Sequence, residues 1–567
     1  MRRFFKTWMA GFVIGIALVS GATAGVVIGP IGRRSDQPKA AKPAVPNVAV
    51  KTAAIGTEPA EVPALVDQKV TPALPGRLPG GTFLVGADAT SLYPTPNLYG
   101  GTWQKEGCTE FDPTEPQGGN IDRSHPLPGD GHGWPLASKD CIYLAAFGIG
   151  PARAAHTVDD GGVWVRSLAI SNGEKTVVWQ IVDAPGYLYS YNKSICDKCG
   201  IYDVKQKLAA DTGLPADNIS IGATHTHAGP DLYGGWGGIP KWYAAQIRDS
   251  VIVSAKKALQ NLEEATITVG EVSLRGFNGE RRDTYYSAPD FQATWLQAKA
   301  TDDGAALATL ANFAAHPTIV GGPILHADWP GAADRRFEAV FGGTGLLFNG
   351  GLGNMSVRGR GGANEDEEAN NTGVAFADAV SADIAGGGTT LTSNEVAVKM
   401  EPISHPVTNT VLAAGGLLNL FSRDSLPGGP GGDVPGVYHW SKAGAPNPAD
   451  PGTLRGCDTA SPLQVKTIVG AYRIGNALIV VAPGEIFSNM AIVEKSKTSN
   501  SAMTFVFGQT NDSLGYIIQS FEFDRTGNVV TEYGTMTGEY EEVFSLDHCF
   551  GDHIMQTMLD VSHAVGF

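Results

Sequence analysis

The chain has 567 residues, with 41 Lys and Arg against 57 Asp and Glu, which gives a formal net charge of −16. This negative balance argues against a nucleic-acid partner and against general adhesion to anionic membrane surfaces. The length allows one large domain or two ordinary ones.

The N-terminal segment has the features of an export signal. A basic start precedes an apolar run from about Trp8 to Ile28, and small residues at 22–24 offer an A-x-A-like cleavage site. The run is also close to the length needed to span a bilayer, so residues 1–29 are interpreted as a cleaved signal peptide or as a signal-anchor. Both interpretations predict an exported protein that is secreted, periplasmic or held at the cell surface through this segment.

Residues 30–77 are rich in Pro, Ala, Val and Lys and show no sustained apolar period. Such a composition cannot bury enough apolar surface to offset the entropy of ordering, so we expect a flexible linker. Residues 78–567 then form the folded part of the chain, and no second apolar run of membrane-spanning length follows the first.

Six cysteines in an exported chain predict three disulfides. Cys196 and Cys199 form a C-x-x-C motif, which fits a local disulfide, half of a zinc site or a redox pair. A local disulfide is favoured, because the chain has no second C-x-x-C and the motif lacks the βαβ context of redox proteins. The other four pair, by order alone, as Cys108–Cys141 and Cys457–Cys549.

Short runs of Val, Ile, Leu, Ala and Phe end abruptly in polar or Gly-containing turns, which is typical of buried strands. They span 164–170, 176–182, 219–223, 306–314, 345–348, 477–481 and 503–507. Helical patterns occupy 201–211, 246–264 and 374–384, and Gly-rich loops occupy 93–133, 359–371 and 424–451. Strands that alternate with helices predict an α/β fold with a mixed, mostly parallel sheet and long Gly-rich loops.

Residue types that bind metals follow several of these predicted strands. His225 and His227 stand two apart after one strand, so period-two geometry turns both toward one face. His316 ends a second strand, and Glu485 follows a third. Ligands of open α/β sheets bind beyond the carboxyl ends of the strands. Two imidazoles and a carboxylate are the donors of a catalytic zinc that keeps a position for water.

Two further strands end in candidate site residues. A polar loop that contains Tyr516 follows one, and a Gly-rich turn that contains Ser356 follows the other. Glycine permits the unusual dihedrals that an exposed reactive serine requires, although the residues alone favour an ordinary turn serine. Each candidate alone has an ordinary structural explanation, so the prediction of a site rests on their shared position after strands.

Together these segments resemble the neutral, non-lysosomal ceramidases. The resemblance extends from about Thr82 to Tyr540, and its motifs occur in the order of the family. They are T-H-T-H-A-G-P at 224–230, N-F-A-A-H-P at 312–317, G-N-M-S at 353–356, P-G-E at 483–485 and the loop at 511–516. The resemblance implies a single large catalytic domain over 78–567.

Carried over residue by residue, the resemblance implies one zinc ion (Zn2+) per chain. Its ligands would be His225, His316, Glu485 and Tyr516. The family serine falls on Ser356, and a second family tyrosine, directed at the scissile amide, falls on Tyr533. We place His227 beside the ligands, where it would orient one of them or shuttle a proton. A family arginine that contacts the substrate has no clear counterpart in the sequence.

The implied reaction is hydrolysis of a lipid amide, with ceramide (N-acylsphingosine) as the expected substrate and contact with a membrane during its uptake. The family turn G-D-x-S-P-N reads G-N-M-S-V-R here, and we expect no C-terminal β-sandwich of the kind family members usually carry. These differences leave open a zinc hydrolase of the same fold for another lipid amide or ester. A non-catalytic binding protein of the envelope is the other alternative, and the intact ligand set argues against it.

Overall fold

The structure, a computed structural model, describes residues 57–110, 137–145, 150–151, 153–192, 196–282, 288–409, 412, 422–423, 434–437, 460–523 and 540–567. Contacts divide the chain into two units, and the unit formed by Met1–Ala54 and Phe111–Pro126 lies outside those ranges. The other unit contains everything presented below. The predicted signal segment 1–29 and Tyr533 also lie outside the described residues, so both stay predictions.

The described chain alternates strands and helices. Its strands are β1 (Phe83–Ser91), β2 (Thr157–Val158), β3 (Trp164–Ser171), β4 (Thr176–Val182), β5 (Ile219–Ala223), β6 (Glu263–Ser273), β7 (Asn278–Glu280), β8 (Gln292–Ala300), β9 (Ala306–Phe313), β10 (Ile324–Leu325), β11 (Thr344–Asn349), β12 (Met355–Val357), β13 (Thr389–Thr390), β14 (Val396–Pro406), β15 (Val434–Val437), β16 (Ala460–Ile474), β17 (Ala477–Val481), β18 (Glu485–Ile486), β19 (Met503–Phe507) and β20 (Tyr516–Ile517). Its helices are α1 (Val62–Leu65), α2 (Ile201–Thr212), α3 (Lys241–Gln260), α4 (Asp328–Phe341), α5 (Glu365–Gly386), α6 (Ser488–Lys497), α7 (Tyr540–Val543) and α8 (Phe550–Ala564).

The larger sheet has the order β11-β9-β8-β6-β1-β3-β4-β5, with β13 paired to β6. Within the described strands, β4–β5 and β9–β11 pair in parallel and the other six pairs of this sheet are antiparallel. The predicted α/β fold with a mixed sheet is therefore confirmed, but the expectation of mostly parallel pairing is wrong. Short turns join β3 to β4 and β8 to β9, and only antiparallel strands can be joined in that way.

The second sheet has the order β14-β16-β17-β19, with β15 paired to β16, and it packs face to face on the larger sheet. Phe348 of β11 stacks on Phe507 of β19 with ring centroids 4.1 Å apart. Trp179 of β4 meets both Phe507 and Tyr472 of the second sheet edge to face. The apolar core between the sheets thus fixes their relative position.

Helices cover the outer face of each sheet. Helices α2 and α3 pack on β3, β4 and β5, while α4 and α5 pack on β8, β9 and β11. Helices α6 and α8 cover the second sheet. The result is a four-layer α/β/β/α arrangement. In the part of the chain that the structure describes, no helix is both long and apolar enough to cross a membrane.

The predicted strands are all present, and the differences lie in the helices and loops. The predicted helix 246–264 ends at Gln260, and the alternating exposure from Glu263 onward belongs to β6. The predicted loop 359–371 ends at Asn364, whose side chain accepts a hydrogen bond from the Glu367 amide and caps α5.

Residues 57–77 lie against the domain, so the linker prediction is wrong for this stretch. The Thr57 amide donates to the Ala89 carbonyl at 2.8 Å. Val62 is buried, and Nζ of Lys256 donates to the carbonyl oxygens of Val66 and Gln68. The composition of a Pro-rich stretch does not show that a few of its apolar side chains pack against the rest of the domain.

Two predicted disulfides, Cys108–Cys141 and Cys196–Cys199, are confirmed. The C-x-x-C motif is therefore a local disulfide. Cys549 is also disulfide-bonded, and its predicted partner Cys457 lies outside the described residues.

The pH dependence of folding stability should reflect Glu494 of α6. Its Oε1 accepts a hydrogen bond from the Ser562 hydroxyl at 2.7 Å, and burial raises its pKa from 4.5 to about 7. Because the folded state then holds the proton more tightly than the unfolded state, this group lowers stability as the pH rises from about 4.5 to 7. Glu494→Gln keeps an acceptor oxygen and cannot ionise.

Between pH 5 and pH 8, the wild type should therefore lose on the order of 2 kcal/mol more unfolding free energy than Glu494→Gln. Urea unfolding at the two pH values measures this difference. Parallel stability curves for the two proteins would contradict the prediction.

Candidate metal centre

The carboxyl ends of strands from both sheets meet at one place. The amide of Ala223, the last residue of β5, donates to the Gln509 carbonyl at 3.0 Å, and the Asn511 amide donates to the Ile221 carbonyl at 2.8 Å. Asn312 of β9 donates through Nδ2 to the carbonyl of Val506 in β19 at 3.0 Å. These hydrogen bonds bring the segments after β5, β9, β17 and β19 together.

The structure brings the four predicted zinc ligands into one buried cluster. Nε2 of His225 lies 3.3 Å, and Nε2 of His316 lies 3.1 Å, from the same Oε2 of Glu485. Glu485 pairs with Tyr516 in the short parallel ladder β18–β20. The Tyr516 ring stacks beside the His316 ring with centroids 6.3 Å apart.

Hydrogen bonds to the backbone fix the tautomers of both histidines. Nδ1 of His316 lies 3.0 Å from the Met355 carbonyl oxygen, and Nδ1 of His225 is in short contact with the Pro185 carbonyl oxygen. A carbonyl oxygen only accepts, so Nδ1 of each ring carries the hydrogen. Burial, helped by the charge of Arg281, lowers the pKa of His316 to about 4. A neutral ring then presents the Nε2 lone pair to Glu485.

The charge of Glu485 completes the test of whether these residues fit a metal. With the ring hydrogen on Nδ1, neither Nε2 atom has a hydrogen to donate to the carboxylate. The carboxylate thus faces two nitrogen lone pairs, and Nε2 of His225 has no hydrogen-bond partner among the described residues. A cation between them removes this repulsion. Two imidazoles, a carboxylate and a phenol oxygen suit zinc, so the residues fit a divalent ion.

Backbone strain is concentrated at this centre. His225 has φ 63° and Asn511 has φ 67°, both in the left-handed region. Such conformations cost roughly 1 kcal/mol or more for residues other than glycine and cluster at functional sites. The Thr224 amide donates to the Val182 carbonyl at 2.9 Å, which anchors the residue before the strained histidine.

His227 lies close enough to be a ligand itself. Its ring centroid is 5.1 Å from that of His225, and ligand atoms of His225, His227 and His316 lie within 4.8 Å of one another. Burial lowers its pKa well below the ordinary value, and the neighbouring histidines add to this effect. We favour Glu485 as the third ligand, because both Nε2 atoms converge on its oxygen and its charge offsets that of the ion.

Arg281, which follows β7, belongs to the centre, although no sequence pattern indicated this. Nη2 donates to the Tyr516 hydroxyl oxygen at 2.9 Å, and Nη1 lies 3.4 Å from Nε2 of His316. Nε donates to Glu541 at 2.6 Å. Burial opposes its charge, but Tyr516, Glu541 and Glu485 together raise its pKa above the usual value. Arg281 is therefore a candidate for the arginine that the sequence left without a counterpart.

Ser356 lies at the edge of the centre. It is in β12, where its backbone forms a bridge with His316 on one side and pairs with Gly279 of β7 on the other. The serine is partly exposed. Its role, like the catalytic roles of His227 and Tyr533, stays a prediction.

Comparison with known proteins adds to this geometry. No family model matches the chain, and no curated protein matches its sequence. The crystal structure of neutral ceramidase from Pseudomonas aeruginosa matches with a TM-score of 0.57 and 14% identity, covering 85% of this chain and 74% of that chain. A ceramidase complexed with C2 matches with a TM-score of 0.56 and 14% identity, covering 85% and 75%.

The chain has the neutral ceramidase fold. The resemblance expected from the sequence is thus confirmed at the level of the fold.

On this ceramidase fold, two other groups of described residues have metal-binding side chains. In the first, Nδ1 of His326 accepts from the Asp328 amide at 2.7 Å, so Nε2 carries the proton that it donates to Asp366 at 2.9 Å. In the second, which includes Asp547, Cys549 is disulfide-bonded and offers no thiolate. Neither group directs two imidazole Nε2 atoms at one carboxylate oxygen, as the residues around Glu485 do.

A divalent ion should therefore bind at His316 and not at His326. His316→Ala should remove the bound ion, because losing a ligand exceeds the roughly 10–100-fold effect of losing a supporting residue. His326→Ala is the matched control, since it also removes a buried histidine that contacts a carboxylate. Metal analysis of the two folded proteins measures the effect, and equal losses would show that the ion binds elsewhere.

Proposed function

We propose that this chain is an exported, zinc-dependent amidohydrolase that cleaves the amide bond of an N-acyl lipid, with ceramide as the substrate suggested by the fold. The observation that carries the proposal is the convergence of two histidine Nε2 atoms on Glu485 within a ceramidase fold. The disulfides Cys108–Cys141 and Cys196–Cys199 support export, because such bonds persist in oxidising compartments.

Zinc would be held by His225, His316, Glu485 and Tyr516, and when bound it polarises a carbonyl and lowers the pKa of water toward about 7. The chain supplies the remaining functions. His227 is neutral at pH 7, since its pKa is lowered. It can therefore accept a proton from the attacking water and pass it to the leaving amine.

Arg281 would stabilise charge that develops on the substrate carbonyl. Its Nη1 lies beside Nε2 of His316, and Glu541 fixes the guanidinium from the other side. A preorganised cation in a buried site stabilises an oxyanion without reorganising during the reaction. Hydrolysis adds water across the C–N bond and releases a fatty acid and a free amine.

The purified full chain should contain one zinc ion and release fatty acid from a fluorescent ceramide. A chelator should abolish turnover and added zinc should restore it, whereas His316→Ala should remain inactive in both conditions. Metal content and fatty-acid release are measured on the same sample. If the protein binds zinc but does not hydrolyse ceramide, the zinc site stands and the substrate is another amide or ester. A protein that binds no zinc would overturn the proposal.

Water is proposed as the nucleophile, because the turn around Ser356 lacks the Asp and the Pro-Asn of the family motif. Ser356→Ala should then keep activity within about tenfold of wild type and leave the zinc content unchanged. Loss of a serine nucleophile typically costs on the order of 10⁴-fold or more. A loss of that size with zinc retained would assign the attack to Ser356.

A second candidate, a zinc hydrolase of the same fold for another lipid amide or ester, is favoured by one observation. Arg358 stands where the family turn has Asn, so a positive charge replaces a neutral side chain two residues after the serine.

A further inference from the structure

The serine turn is part of a two-stranded ribbon beside the metal centre. Strands β7 and β12 pair antiparallel, with Ser356 directly opposite Gly279. Directly opposed residues of an antiparallel pair have their Cβ positions on the same face. The side chain of Ser356 and the open side of Gly279 therefore share one face of the ribbon.

This face is turned toward the metal centre. Arg281 follows Gly279 by two residues, and its amide donates to the Asn354 carbonyl at 3.0 Å, which extends the ladder. Side chains two apart on a strand point to the same face. Because the Arg281 guanidinium contacts Tyr516, the face that it shares with Ser356 is the one that borders the ligands.

The guanidinium of Arg358 lies on the same face. Its Nη2 and Nε are 2.6 Å and 2.7 Å from the point where a Cβ at position 279 would stand. Any side chain at position 279 would therefore displace Arg358, and glycine provides the space that it occupies. The placement agrees with the period of the strand, since Arg358 follows Ser356 by two residues.

Arg358 is exposed and forms no ion pair with any described residue, unlike Arg281 and Arg282, which follow the facing strand β7. Arg281 pairs with Glu541, and Arg282 pairs with Glu542 at 2.7 Å. The carboxylate of Glu368 lies beside Gly359 but does not pair with Arg358. A cation held on the site face without an ion-pair partner among the described residues is available to a ligand.

We propose that Arg358 binds a carboxylate on the amine side of the substrate, so that the chain prefers N-acyl amino acids to neutral N-acyl lipids. This inference rests on the proposed amide hydrolysis, and it places ceramide, a neutral lipid, among the less favoured substrates. In an amphiphile the acyl chain is apolar, so an anion near the scissile amide belongs to the amine part. The planar guanidinium matches a carboxylate with two parallel hydrogen bonds. Water adds across the C–N bond, and a fatty acid and a free amino acid are released.

The first test compares N-lauroylglycine with N-lauroylethanolamine. The two compounds differ only in the terminal group, which is a carboxylate in the first and a hydroxymethyl group in the second. Wild type should prefer the glycine compound by about tenfold in kcat/KM, the scale of one charge-assisted contact at a partly exposed site. Arg358→Gln should bring the ratio close to one, mainly through KM for the glycine compound, and Arg358→Lys should restore part of it. Arg77→Gln, which removes an exposed arginine from the N-terminal stretch, is the control and should keep the wild-type ratio.

The second test separates carboxylate binding from hydrolysis. Dodecylsulfonyl-glycine and dodecylsulfonyl-ethanolamine are sulfonamides that resist hydrolysis, and calorimetry measures their binding to the full chain. The glycine compound should bind wild type about tenfold more tightly, and Arg358→Gln should remove this difference.

The outcomes distinguish the two proposals. If wild type hydrolyses neither lipid but still prefers the sulfonyl-glycine, the hydrolase proposal fails and the carboxylate site stands. If wild type hydrolyses both lipids equally well and binds both sulfonamides equally, the hydrolase stands and the role of Arg358 is overturned. An equal loss for both substrates in Arg358→Gln would also overturn it, since that result indicates a merely structural residue.

Discussion

The metal centre depends on one unfavourable arrangement, a buried carboxylate that faces two imidazole lone pairs. Oε2 of Glu485 lies within 3.3 Å of Nε2 of both His225 and His316, whose Nδ1 atoms are committed to backbone carbonyls. Burying an ionised carboxylate costs several kcal/mol unless a cation or hydrogen bonds compensate. A divalent ion would supply that compensation, and the packing of the two sheets holds the three side chains in place for it.

The strand pairings show how a largely antiparallel sheet builds such a centre. Antiparallel neighbours end at opposite edges of a sheet, so they cannot place side chains that follow them in one place. The four predicted ligands instead follow strands of three parallel pairs in the two main sheets, β4–β5, β9–β11 and β17–β19. Two of these pairs belong to the larger sheet and one to the second, and face-to-face packing brings their carboxyl ends together.

The features that could be predicted from the sequence are those set by local patterns. The features that were missed are those set by tertiary contacts. Apolar runs identified the strands, and the rule that ligands bind at carboxyl ends brought His225, His316 and Glu485 into one prediction. Arg281 was not predicted as a site residue because it follows β7, a three-residue polar strand with no apolar period. The packing of Val62 was not predicted because its pocket is formed by the folded domain and not by residues adjacent to it in the sequence. The mainly antiparallel pairing of the larger sheet was not predicted, because an alternation of strands and helices does not specify strand direction.

Charge explains why one exposed arginine beside the site can set specificity in this chain. The net charge of −16 gives the protein a long-range field that repels an anionic amphiphile. At physiological ionic strength that field decays over a Debye length of about 8 Å, so charges close to the ligand decide binding. Arg281 is partly buried and Arg282 is buried, and Glu541 and Glu542 pair with them, which weakens their attraction for a distant anionic group. Arg358 is exposed, has no such partner among the described residues and lies on the face that borders the ligands, so its charge remains available at short range.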